Sequence, residues 1–190
     1  EYAMGIADQE SVAKVEMLMK RLSISPASRR VVEPAANAAR EAARERKGHK
    51  GVYCGAAVEL RDGRIVAGKN SPLLHAASSA VLNAVKTLAE IPDRLHLLPP
   101  AIMSSIAELK GNLLKVKSTS LDVEEMMIAL SISATVNPAA QLALDKLRDL
   151  SNCEIHLTHI PSSGDAEGLR RLGMHLTSDP NYPTKDLFVD

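Results

Sequence analysis

The side chains that could do chemistry in this chain gather at two expected helix starts. Lys69, Asn70, Ser71 and His75 lead into one helix, and Ser133, Thr135 and Asn137 lead into another. Amides left unpaired at a helix start, together with the helix dipole, favour an anion. If the two starts converge at the ends of the strands, these seven residues line a pocket for a carboxylate or a phosphate. Asn70, Ser71 and Asn137 would serve equally as ordinary N-caps, accepting from first-turn amides. Both readings stay open at the level of sequence.

The remaining reactive residues point to no ready-made centre. His156 and His159 are three apart, and on a regular strand such residues face opposite sides, so they cannot chelate one ion together. Each is expected to be a partly buried, hydrogen-bonded imidazole. His49 and His96 fall in expected surface loops. Asp165, Glu167 and Glu154 are near in sequence, which alone does not make an acid–base set. No Ser-His-Asp or Cys-His set is legible, because such groups meet only in space. Cys54 and Cys153 each sit at the start of an expected strand and are expected to be buried and reduced, since a small secreted scaffold would carry more cysteines.

Positioning these residues requires an alternation of strands and helices. Val52 to Leu60 and Arg64 to Gly68 read as a hairpin about the turn Arg61-Asp62-Gly63. A helix follows from Leu73 to about Glu90, with Leu74, Ala77, Val81, Val85 and Leu88 in one stripe. Residues 99–114 form an inserted helix. Met126 to Ile132 is a short apolar run that periodicity cannot assign. We read it as a buried strand because Asn137-Pro138 opens a clear new helix, Ala139 to Leu150. Cys153 to Ile160 is the next strand, Asp165 to Leu172 a short helix closed by Gly173, and Met174 to Thr177 the last strand. This order predicts an α/β fold: a three-layer α/β/α sandwich around a mixed sheet of about five strands.

Residues 1–50 read as a helical appendage, 51–178 as the α/β domain with its helical insertion near 99–116, and 179–190 as a tail. Within the appendage, Asp8 or Ser11 caps a helix reaching Leu22, with an apolar stripe at Val12, Val15, Leu18, Met19 and Leu22. Ser25-Pro26 starts a second helix, which Pro34 breaks or restarts and Gly48 stops. The opening Glu1-Tyr2-Ala3-Met4-Gly5 resembles the last turn of a helix closed by glycine, so the chain is expected to be part of something longer.

Composition excludes several classes. With one Phe, three Tyr and no Trp, the core must be aliphatic and stacking platforms for single-stranded nucleic acid are scarce. Lys plus Arg and Asp plus Glu both total 23, so no global field draws nucleic acid or an acidic membrane. The basic residues between 29 and 50, and Lys110, Lys115 and Lys117, are read as solvated faces rather than a nucleic-acid site. No apolar run reaches roughly 18 residues and no signal peptide opens the chain, so a cytoplasmic address is expected. The alanine-rich helices would also suit a homo-oligomer.

The element order resembles the cytidine-deaminase-like fold. In catalytic members of that group, the helix after the hairpin starts with a zinc-ligand His or Cys, followed two residues later by a proton-shuttling Glu. The helix after the third strand starts with Pro-Cys-x-x-Cys. Here the first motif falls at His75-Ala76-Ala77, and the second at Pro138-Ala139-Ala140-Gln141-Leu142. One His cannot hold a tetrahedral zinc and activate water, so the resemblance implies a zinc-free site.

A closer resemblance covers nearly the whole chain. The segments Glu59 to Lys69, Ile128 to Ala134 and Leu172 to Pro180 are similar, in the same order, to the C-terminal part of the bacterial domain of unknown function 1846 family. That resemblance implies a longer protein with an N-terminal α/β region carrying a Gly-rich, phosphate-loop-like segment. It carries over no catalytic residues. The expectation is a domain that helps to bind a small anionic or nucleotide-like ligand without zinc. The alternative is a structural or oligomerisation domain with no chemistry of its own.

Overall fold

The computed structural model describes residues 1–116 and 118–183. The chain opens with α1 (Gln9–Arg21), capped by the Asp8 side chain, which accepts from the Ser11 amide. A 3-10 turn, Pro26–Ser28, leads to α2 (Val32–Glu45). Pro34 lies in the first turn of α2, where its missing N–H leaves no helical bond unmade, so it neither breaks nor restarts the helix. The hairpin follows as β1 (Gly55–Glu59) and β2 (Ile65–Lys69), joined through Gly63 at φ 81°.

The next elements are α3 (Ala76–Leu88) and α4 (Pro100–Glu108), the latter extended by one π-helical turn, Leu109–Leu113. Then come α5 (Val123–Ala134), α6 (Pro138–Asp145), β3 (Glu154–Leu157), α7 (Ser163–Arg171) and β4 (His175–Ser178). The sheet order is β2-β1-β3-β4. β1 is antiparallel to both neighbours, and β3 runs parallel to β4.

The expected mixed α/β architecture is present, with one correction. Met126 to Ile132 is not a strand but the body of α5, and the sheet has four strands among the described residues rather than about five. The cause lies just upstream. Asp122 and Glu125 form a capping box: the Asp122 carboxylate accepts from the Glu125 amide at 2.9 Å, and the Glu125 carboxylate accepts from the Asp122 amide at 3.1 Å. Two first-turn donors are thereby satisfied, and an apolar run of Met, Ala and Leu continues as helix.

Alternation along β1 sorts the packing. Ala57 lies with Val31, Ala35 and Ile65, whereas Ala56 and Val58 belong to the larger core with Val81, Val85, Leu130, Ile155 and Leu157. Glycines allow the closest approaches. A Cβ on Gly55 would stand 2.1 Å from the Ala35 carbonyl oxygen of α2, and one on Gly68 would stand 2.2 Å from the Ala80 nitrogen of α3. Thus α2, in the region expected to be an appendage, packs on the sheet, with Ala35, Ala38 and Ala42 buried. By contrast, α1 buries none of its residues.

Both cysteines are buried and unpaired, as expected. Lys117 of the expected basic loop and residues 184–190 of the expected tail lie outside the described residues. No described helix is long and apolar enough to cross a membrane.

Candidate functional site

Three helix starts meet in one place: those of α3, α5 and α7. Before α3, the Ser71 hydroxyl accepts from the Leu73 and Leu74 amides at 3.2 and 3.1 Å. The Leu121 amide then donates to the Leu73 carbonyl and the His75 amide to the Leu121 carbonyl, each at 2.9 Å. This short parallel bridge sets His75, the N-cap position of α3, beside Asp122, the N-cap of α5. The start of α7 fits against them because it lacks side chains there. A Cβ on Gly164 would fall 2.0 Å from the Asp122 carboxylate, and one on Gly168 would fall 2.7 Å from the Val123 side chain.

Asp165 is the group that joins the three starts. Its side chain is 1% exposed. One oxygen lies 2.8 Å from His75 Nδ1 and accepts from the Ser162 hydroxyl at 2.8 Å; the other accepts from the Val123 amide at 3.1 Å. Burial by itself would raise the Asp165 carboxyl, but the His75 and Ser162 hydrogen bonds and the His75 charge outweigh it and hold the group below the usual carboxylate range. Burial likewise works against charge on His75, yet Asp165, with Asp122 behind it, raises the imidazole above its ordinary value.

This pairing fixes the chemistry available. With Nδ1 committed to Asp165, His75 has Nε2 left, and that atom has no hydrogen-bond partner among the described residues. The ring is 27% exposed. A carboxylate-held imidazole of this kind can donate to an acceptor oxygen or exchange a proton at its outer nitrogen. Around it, Lys110 is nearly buried and donates to the Ser120 carbonyl at 2.8 Å and the Glu125 carboxylate at 2.7 Å. Asp122 is raised by burial and by the charges of Glu125 and Asp165.

The structure divides the seven residues expected to line a site. Lys69, Asn70, Ser71 and His75 follow one another out of β2, but only His75 bonds to Asp165. Lys69 pairs with Glu45 at 3.0 Å and Glu41 at 3.3 Å. Asn70 is buried and structural, accepting from the Cys54 amide at 2.8 Å and donating to the Val52 carbonyl at 3.0 Å. Ser133, in the last turn of α5, and Thr135 and Asn137, just past it, lie at the other end of this helix, whose 12 residues span about 18 Å. Ser133 and Thr135 turn back on the carbonyls of Ala129 and Ile132. Asn137 caps α6 and donates to the His96 carbonyl.

Asp165 and Ser162 were not among the expected site residues. The spacing Ser162-x-x-Asp165 at the start of α7 is the signal that could have drawn attention to them. The histidines of β3 and the loop after it also separate. His156 in β3 is hydrogen-bonded, as expected, its Nδ1 pairing with the Thr177 hydroxyl at 2.9 Å while its Nε2 lies 3.3 Å from the Asp179 carboxylate; His159, past the strand, is 6% exposed and its Nδ1 has no hydrogen-bond partner among the described residues.

Two open clefts lie apart from this cluster. One of about 590 Å³ is lined by Arg40, Glu41 and Arg44 of α2; another of about 330 Å³ runs along α3 past Lys69, Leu73, Lys86 and His96. Their charged side chains are already engaged, Arg40 with Glu33, Lys69 with Glu45 and Lys86 with the Asp93 and Leu95 carbonyls, and exposed ion pairs contribute little. Buried groups with shifted protonation mark a site more strongly, and these are at His75. Among the described residues, no three His, Cys, Asp or Glu side chains are arranged to hold a metal ion.

Comparison with known proteins places these features in a lineage. Residues 27–188 match the family described as domain of unknown function DUF1846, C-terminal. The whole chain is 39% identical to a UPF0371 protein of Clostridium tetani, over 38% of that protein's length. Over 99% of the chain it is 39% identical to one of Clostridioides difficile, covering 37% of that protein, and over the full chain 38% identical to one of Clostridium botulinum, covering 38%. The chain therefore spans well under half the length of these relatives.

Proposed function

Because this chain belongs to the family of C-terminal DUF1846 domains, we propose a role that a longer protein completes: holding a small anionic or nucleotide-like ligand, without zinc, through His75. The observation that carries this reading is the buried Asp165–His75 pair with Nε2 left unpartnered. Asp165 already occupies the helix-start position otherwise open to a ligand anion. The contact left for the ligand is therefore the outer imidazole nitrogen, not bare amides. The N-terminal region of the same protein, with its phosphate-loop-like segment, would supply the rest of the grip.

The finer fold reading, a three-layer deaminase-like sandwich, gains support once α5 is recognised as a helix. The third strand is then β3, and the helix after it is α7. Its entry, Pro161-Ser162-Ser163-Gly164-Asp165, stands where the resemblance asks for Pro-Cys-x-x-Cys. Ser162 and Asp165 replace the two cysteines, and His75 faces Asp165 directly. In this reading an ion pair occupies the place of the metal.

Calorimetric titration of the full-length protein with inorganic phosphate, nucleoside phosphates and sugar phosphates tests the proposal. Saturable binding that His75→Ala abolishes is the expected result. No heat with any of these probes overturns it.

A second reading rests on α1. Its stripe residues Val15, Leu18 and Leu22 are 54%, 50% and 64% exposed, although their spacing makes one apolar face. Pairing of two copies through this face would make the region an assembly domain. Light scattering that finds a dimer, dissociated by Leu18→Glu, supports it; a monomeric unsubstituted protein removes it.

A further inference from the structure

Residues 1–26 are set apart from the rest of the chain twice over. None of them is buried, and the first buried residue is Val31. The match to the C-terminal domain family begins at residue 27, whereas the Clostridium tetani relative aligns with the whole chain. The segment is therefore shared with that relative yet lies outside the matched domain. An exposed bond from the Tyr182 hydroxyl to the Ala3 carbonyl, 3.1 Å, reaches the stretch ahead of α1 but not α1 itself.

Left in water, α1 has little to hold it. Its 13 residues are at the lower limit for an isolated helix, and helices of this length take their stability from packing an apolar face. Its ion pair, Lys14 with Glu10 at 2.7 Å, lies within the helix and on its surface. An apolar face is nevertheless present. Val12, Val15, Leu18, Met19 and Leu22 run along one side, and Val15, Leu18 and Leu22 are at least half exposed. Among the described residues nothing buries this face.

The size of the face decides between occupants. A helix of this length is about 20 Å long and about 10 Å across, a footprint of about 200 Å². Two separate proteins need about 800 Å² on each partner for a stable interface. A segment joined by a short linker needs far less, because its effective concentration is about millimolar. Such a segment is available in the longer relatives, where this chain accounts for only 38% of the length and carries the C-terminal domain.

We propose that α1 is the closing helix of the N-terminal unit of the longer protein, its apolar face covered by that unit within the same polypeptide. The boundary between the units falls at Ser23–Pro26. There Ser23 takes a left-handed φ of 54°, the Ile24 amide turns back to the Met19 carbonyl at 3.0 Å, and Ser25-Pro26 opens the next turn. This assignment goes beyond the ligand reading of His75 and does not depend on it.

Hydrogen exchange in the full-length protein, followed by mass spectrometry at two concentrations roughly a hundredfold apart, tests the assignment. The α1 amides should exchange at least about 100-fold more slowly than in an unstructured peptide, equally at both concentrations. Leu18→Glu should return α1 to fast exchange while α3 and α5 stay protected, which shows that the C-terminal domain remains folded. Leu18→Ala, which adds no charge, should give a smaller acceleration, and Glu10→Gln on the far side of the helix should give none. Fast exchange of α1 in the unsubstituted protein overturns the proposal. So does protection that fades on dilution, which would assign the face to a second copy. Neither result bears on ligand binding at His75.

Discussion

The starts of α3 and α6 differ in who serves them. At α6, Asn137 accepts from the Ala139 and Ala140 amides at 3.0 and 3.4 Å, and Pro138 has no amide proton to satisfy. Everything the helix start needs comes from its own sequence. At α3, His75 makes no cap bond; its amide reaches Leu121 and its ring reaches Asp165, 90 residues away. A helix start served locally needs nothing further. One served by distant, charged groups ties several elements together and leaves a reactive nitrogen at the surface.

The sharpest way to break this contrast is Asp165→Ala. It strands the His75 ring and removes the acceptor of the Val123 amide and Ser162 hydroxyl. The expected loss is about 3–5 kcal/mol in urea unfolding, the range for deleting one partner of a buried pair. A loss below about 1 kcal/mol would mean the pair does not hold the three starts together.

The next test is the pH dependence of the difference between the unsubstituted protein and His75→Gln. The His75 value is raised on folding, so its contribution is complete below the unfolded value and is lost as pH rises through the folded one. Asp165 is depressed, so its contribution is complete above the unfolded carboxylate value and is lost as pH falls through the folded one. The difference should therefore be greatest between about pH 4 and 6.5 and shrink on both sides. Using a difference matters because His159 and His156, both lowered mainly by burial, weaken the fold as they protonate in the same window. Asp122, Lys110 and His49 also act on or around His75, and Gln leaves them in place. A flat difference across pH would show that His75 gains nothing from Asp165.

On the other side of the comparison, Asn137→Ala should cost about 1 kcal/mol, as for any lost cap. Ligand affinity at His75 should not change; if it did, the two helix starts would share a site after all. Thr135→Ala is expected to be the mildest. Its hydroxyl is exposed and, among the described residues, bonds only the Ile132 carbonyl, so thermal melts should give a change within about 0.5 kcal/mol.

Much of this arrangement was legible because its signals are local. The hairpin follows from Arg61-Asp62-Gly63, α6 from Asn137-Pro138, and α3 from its apolar stripe. The error at Met126 to Ile132 arose where apolar periodicity carries no information. The Asp122-x-x-Glu125 box four residues earlier would have decided for helix. That single change moved the helix after the third strand from α6 to α7, and with it the partner of His75. The Ser162-x-x-Asp165 spacing could mark Asp165 as part of a helix start, but its pairing with His75 could not be found, since nothing in residues 75 and 165 announces that they touch. His159 failed expectation for a related reason: a strand position predicts burial, but only the surroundings decide whether a ring nitrogen finds a partner.

The bare glycines of the hairpin have a consequence for His75. Gly68 lets β2 touch the backbone of α3 at Ala80, little more than one helical turn beyond His75, while Gly55 lets β1 touch α2 behind it. A methyl group at residue 68 would act as a wedge under the helix. The distance between imidazole and carboxylate is therefore set partly by atoms that are not there, and the reach of the site is calibrated from beneath the sheet.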